Sequence, residues 1–145
     1  MRETPARVLF LCTHNSARSQ MAEGLLRALG GENVEVFSAG TVATAVRPEA
    51  IEVLRELDID VSTQESKTLE RYLGEPFSDV VTVCDDANDA CPVFPEARHR
   101  LHWSIDDPSR VEGSDADRLA AFRLARDELR RLIETELLPD LQREP

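Results

Sequence analysis

Four short apolar runs alternate with segments of helical period along this chain, and that alternation limits the fold more than any other feature. Val8-Leu9-Phe10-Leu11 reads as a buried strand, and Val34 to Ser38, Asp79 to Cys84 and the weaker Arg100 to Trp103 follow it. Helices are expected from about Ala17 to Leu29, Pro48 to Leu57, Leu69 to Leu73 and Asp115 to Leu138, with Pro48 suited to a first turn and Pro139 closing the last helix. Strands that alternate with helices join by right-handed crossovers into a mostly parallel sheet covered on both faces, an α/β fold. The 145 residues, 41% of them hydrophobic, suffice for one substantial core, so residues 1–145 are expected to form a single domain.

In such sheets ligands bind outside the C-terminal strand ends. At the first of these ends stands Cys12-Thr13-His14-Asn15-Ser16-Ala17-Arg18-Ser19, between a strand and a helix. The free N–H groups of a strand-to-helix turn converge on one spot, and the helix dipole adds positive potential there, so a phosphate-like anion binds well. That field favours a thiolate, and Cys12 is expected to ionise below the ordinary thiol value of about 8.5. Arg18 can grip two oxygens with its planar fork, and Ser19 can donate a hydrogen bond to the sulfur. The residues describe a nucleophile aimed at a tetrahedral oxyanion, against the plainer reading of a core cysteine beside an unrelated arginine. His14, with a reference pKa near 6.5, can either tune Cys12 or face solvent.

Composition narrows the partners. A net charge of −11 argues against nucleic-acid or anionic-membrane binding, which need a basic face, so any anion site must supply its own local field. The chain has neither an apolar run of membrane-spanning length nor a secretory h-region, and a soluble, cytoplasmic monomer is expected. Three cysteines are too few for a disulfide framework and read first as chemistry.

Cys84 ends the third strand, and Cys91 follows it across an acidic stretch, Asp85-Asp86-Ala87-Asn88-Asp89-Ala90. In an intact helix, residues seven apart lie near 10 Å, beyond the roughly 7 Å reach of a disulfide, so bridging them requires local unwinding. Two structural thiols, or a zinc site shared with His99 and His102, are the alternatives, although the spacing matches no common zinc pattern. After the last strand, Asp106-Asp107-Pro108 places carboxylates on a loop at the ligand-binding side. There an acid can protonate a departing oxygen, or the pair can simply make a turn.

Together the Cys12–Ser19 loop, the Cys84/Cys91 pair and Asp107-Pro108 resemble the thioredoxin-coupled arsenate reductases, which share the low-molecular-weight protein tyrosine phosphatase fold. The segments Ser19 to Gly24, Ser38-Ala39-Gly40, Asp58 to Ser62 and Arg126-Asp127-Glu128 are also similar, so the likeness spans nearly the whole chain. The resemblance implies a four-stranded parallel sheet and a reduction of arsenate to arsenite. In it Cys12 attacks arsenic, Arg18 and the loop amides hold the anion, and Asp107 protonates the departing hydroxide. Cys84 then attacks Cys12, Cys91 takes the disulfide to a surface segment, and thioredoxin supplies the reducing equivalents, with no bound cofactor. Some relatives bind potassium through residues matching Asn15, Glu23 and Ser38 plus an aspartate that falls here at about Lys67, the only lysine. The Lys67 ammonium is expected to replace that ion near Glu23, leaving no metal. The rivals are a phosphatase working through a Cys12 phospho-enzyme and a redox- or anion-sensing protein.

Overall fold

The computed structural model describes residues 5–84 and 97–143. Four parallel strands, β1 (Ala6–Cys12), β2 (Val34–Gly40), β3 (Asp79–Thr82) and β4 (His99–His102), form one sheet in the order β2-β1-β3-β4. Among the described residues the α-helices are α1 (Arg18–Gly30), α2 (Pro48–Arg55), α3 (Asp115–Leu132) and α4 (Leu138–Arg143). The four-stranded parallel α/β sheet expected from the sequence is present, with β1 and β3 as neighbours.

The pleat sorts the two faces. Val34 and Val36 face α1, where an added Cβ on Gly30 would lie 2.3 Å from Val34 and where Arg27 donates to the Val36 carbonyl. Helices α1, α2 and α3 pack against one another on this side. Phe37, one residue on, points the other way into an edge-to-face cluster with Tyr72 and Phe77, over which the Arg7 guanidinium stacks. There the expected helix near Leu69 is a single 3-10 turn, Leu69–Tyr72. Phe10, Met21, Leu25, Leu26, Phe122 and Leu129 are almost wholly buried in the core between sheet and helices.

Two helix ends differ from expectation. Helix α2 stops at Arg55 because the following turn takes Asp58 into the left-handed region, φ 62°. The last helix does not end before Pro139. It passes through one π turn, Ile133–Leu137, and restarts at Leu138, so that Pro139 falls in a new first turn where its missing N–H costs nothing. Ile133, Leu137 and Leu141 thereby stay on the buried side. Among the described residues no helix is long and apolar enough to cross a membrane.

Candidate active site

The site lies where β1 ends and α1 begins. Every carbonyl from Thr13 to Ala17 is held from outside the loop. Thr13 accepts from Val42 N and Thr41 Oγ1, His14 from Ser66 and Thr44, Asn15 from Gln20, Ser16 from Arg47 N, and Ala17 from Met21 N. With the carbonyls turned out, the N–H groups turn in, and those of Asn15 and Ser19 reach the Cys12 sulfur. Asn15 accomplishes the turn at φ 50°, a conformation that asparagine tolerates. No side chain caps α1 at Ala17, which leaves the first-turn amides to an anion.

Cys12 sits 3% exposed at the floor, its Sγ 2.7 Å from Ser19 Oγ. Ser19 is itself fixed by Asn15 Nδ2 at 2.8 Å, which also donates to Ser38 Oγ at 3.0 Å, and Ser38 donates to Glu23. Burial opposes the thiolate expected from the sequence. Burial pushes the Cys12 thiol up, and it outweighs the Ser19 hydrogen bonds, the Arg18 charge and the Asn15 amide, all of which pull down. The residue types are those the sequence picked out; the desolvation of the sulfur is what a linear reading leaves out.

Above the loop opens a cleft of about 320 Å³, bounded on one side by Thr13, His14 and Arg18 and on the other by residues 104–107 and Arg110. Cys84 lies in the same cleft, its Sγ 3.3 Å from Thr13 Oγ1. The β1–β3 register explains this meeting, because Leu11 pairs with Thr82 and the next residues run on side by side. Cys84 is buried; Cys91 lies outside the described residues. His99 opens β4 beside Asp79 while Cys84 lies beyond the opposite end of β3, so these two do not share a zinc site.

Asp107 caps the short 3-10 turn Pro108–Arg110. Its Oδ1 accepts from Ser109 N at 3.0 Å and Ser109 Oγ at 2.6 Å, so Oδ2 is the oxygen left for chemistry. That Oδ2 lies 3.6 Å from Arg18 and 3.7 Å from Arg110. Burial works to raise the Asp107 carboxyl, but Ser109, Arg18 and Arg110 together hold it below the usual carboxylate range. Arg18 also donates to the Ile105 carbonyl at 2.8 Å, which ties the guanidinium to the Asp107 loop.

Lys67 stands behind the loop, 3.8 Å from Glu23 Oε1, and its ammonium also donates to the Glu65 carbonyl. Arg27 takes the other Glu23 oxygen at 2.6 Å. Gly40, which the sequence offered only as the end of the similar segment Ser38-Ala39-Gly40, supports the loop. A Cβ there would lie 2.6 Å from Thr13 O and 2.8 Å from Asn15 N, both backbone atoms of the loop. It ends the second strand and pairs in the sheet with Cys12, which brings it against the loop.

The model of the family described as low molecular weight phosphotyrosine protein phosphatase matches residues 7–144, and the chain belongs to that family. Within it the likeness is to arsenate reductases. That of Halalkalibacterium halodurans is 44% identical over 128 residues, 88% of this chain and 92% of that protein. A solved arsenate reductase in its phosphate-binding state superposes with a TM-score of 0.76 at 29% identity, over 92% of this chain and 98% of its own. A thioredoxin-dependent arsenate reductase from Corynebacterium glutamicum superposes with a TM-score of 0.70 at 29% identity, over 98% of this chain and 64% of its own.

Proposed function

We propose that this protein reduces arsenate to arsenite through a thiol relay that begins at Cys12 and passes through Cys84 to Cys91. The observation that carries the reading is the second thiol: Cys84 stands against Thr13 in the cleft above the loop, where a hydrolase has no use for it. Arsenate binds on the inward amides, and Arg18 turns its fork from Ile105 and Asp107 to the anion. Asp107 then loses a cation and gains an anionic neighbour, and both changes raise its affinity for a proton. Cys12 sulfur attacks arsenic and the bound oxygen leaves as water. The thiol proton balances the one carried off, and Asp107 Oδ2 is placed to deliver it to the leaving oxygen. Cys84 thiolate next attacks the Cys12 sulfur. The S–As electron pair stays on arsenic, which departs as arsenite, and a Cys12–Cys84 disulfide forms. Cys91 attacks Cys84 and frees Cys12, and thioredoxin reduces the Cys84–Cys91 bridge. A reducing cytoplasm suits this cycle, because it keeps the three thiols free between turnovers.

The donors Asn15, Glu23 and Ser38 do not fit a potassium ion here. The Lys67 ammonium already holds the Glu23 carboxylate that such an ion would need, and Asn15 and Ser38 are hydrogen-bonded to each other. Activity and melting temperature are therefore expected to be the same in potassium and sodium salts. A rise in potassium alone would remove this part of the reading.

The deciding experiment follows arsenate-dependent NADPH consumption with thioredoxin and thioredoxin reductase present. Turnover is expected in the wild type and is lost in C84S and in C91S, while either variant keeps any phosphatase activity of the loop. Turnover that survives both substitutions, or phosphatase activity with no arsenate reduction in the wild type, overturns the relay in favour of a hydrolase.

A further inference from the structure

The mouth of the cleft carries two groups to which the relay assigns no task, His14 and Arg110. The His14 backbone is pinned by hydrogen bonds from Ser66 Oγ at 3.1 Å and Thr44 Oγ1 at 3.4 Å to its carbonyl, so the ring is presented from a fixed point. The ring is exposed and has no hydrogen-bond partner among the described residues. Arg110 reaches in from the other wall, its Nε 3.7 Å from Asp107 Oδ2, although most of its side chain is in solvent.

In-line attack fixes how a tetrahedral oxyanion must sit over Cys12. Three oxygens turn toward the loop amides and Arg18, and the fourth lies opposite the sulfur, pointing out into the cleft. In an ester that outer oxygen carries the organic group. In an inorganic anion it is bare, and it meets whatever lines the mouth. That outer oxygen is the one the relay has Asp107 protonate; Asp106, and Asp107 while unprotonated, repel its charge, so a bare outer oxygen needs further donors on the same rim. Imidazole offers an N–H in either protonation state and guanidinium offers several.

Resting on the reading of the loop as an oxyanion site, we infer that His14 and Arg110 recognise the outer oxygen of a bound inorganic oxyanion, and that this pair selects inorganic anions over aryl phosphate esters. Binding energy at the mouth then goes to a feature that an ester lacks, so selectivity arises at the point where the two substrate classes differ.

Two dianions of equal charge at pH 8 test this: sulfate, with a bare fourth oxygen, and phenylphosphonate, which carries a ring there. Calorimetric titration of the full chain is expected to show sulfate weakened about three- to fivefold in H14A and again in R110A, the range for single exposed polar contacts. Phenylphosphonate affinity stays level or improves, and H14Q, which keeps a donor, recovers part of the sulfate affinity. Both residues are at the surface, and an unchanged melting temperature shows that the variants fold. If the wild type excludes phenylphosphonate outright, the sulfate shift alone decides. Unchanged sulfate affinity in both variants, or equal loss of both ligands, overturns the inference. Neither probe is reduced, so absence of arsenate turnover in the wild type would count against the relay and leave this result standing.

Discussion

Cys12 shows how much one side chain depends on surroundings that its neighbours in sequence do not reveal. The strand end, the helix start and Arg18 all argue for a thiolate, yet the sulfur is buried so deeply that desolvation prevails. A thiol that binds its proton more tightly folded than unfolded adds stability in full below the ordinary thiol pKa, and this is lost as pH rises through the folded value. Alkylation of Cys12 by iodoacetamide should therefore set in at a higher pH than for a free cysteine, and S19A should move the profile higher still, because the largest lowering contact is removed. A profile that moves down in S19A would contradict the assignment. Asp107 gives the opposite sign. Its lowered pKa supports the fold above the ordinary carboxyl range, and that support is lost as pH falls through the folded value. D107N should cut arsenate turnover by about 10²–10⁴, the usual worth of a positioned acid, while sulfate binds as well or better because Arg18 loses its competing carboxylate. Equal loss of binding and turnover would reassign Asp107 to holding the loop. Residue type and spacing pointed to Cys12 and Arg18, and the family resemblance to Asp107; the effect of burial on their protonation was not legible, because burial is a property of the packed interior.

At the scale of elements, the strand–loop–helix unit β1–α1 is the part most fully written in local sequence, since an apolar run, a polar loop and a helical period fall within 25 residues, Ala6 to Gly30. What the loop needs from β2 is less visible. Gly40 lets the second strand pass against the loop backbone, and G40A places a methyl group 2.6 Å from Thr13 O, where only backbone can yield. About 1–3 kcal/mol of destabilisation is expected, as for other overpacked sites, along with loss of sulfate binding, measured by denaturant unfolding and calorimetry. A G40A protein that binds sulfate normally would show that the loop is more compliant than its hydrogen bonds suggest. The C-terminal helix illustrates the converse. Its apolar stripe runs from Leu119 to Leu141 without a break, and the tertiary requirement to keep Ile133, Leu137 and Leu141 buried carries the helix past Pro139 through a π turn.

Across the whole molecule, a string of polar contacts joins the back of the loop to the nucleophile: Lys67 to Glu23, Glu23 to Ser38, Ser38 to Asn15, Asn15 to Ser19, Ser19 to Cys12. Its members come from the strand-to-helix loop, from α1 and β2, and from the segment before the 3-10 turn, so no window of sequence contains it. K67M should lower stability by about 1–3 kcal/mol, less than for an orphaned buried charge because Arg27 still holds the second Glu23 oxygen. Potassium should partly restore the melting temperature of that variant and leave the wild type unchanged; no response in K67M would show that the lysine does more than supply charge. By itself the sequence determined the order of elements, the parallel α/β sheet and the choice of candidate chemistry-bearing residues, because periodicity, turn residues and motif spacing are short-range properties of a chain. The tertiary structure alone decided that β1 and β3 are neighbours, which brings Cys84 over the loop of Cys12. It also decided that burial opposes ionisation of Cys12 and that Gly40 and Lys67 stand against the back of the loop, since strand order, desolvation and close approach depend on residues far apart in the chain.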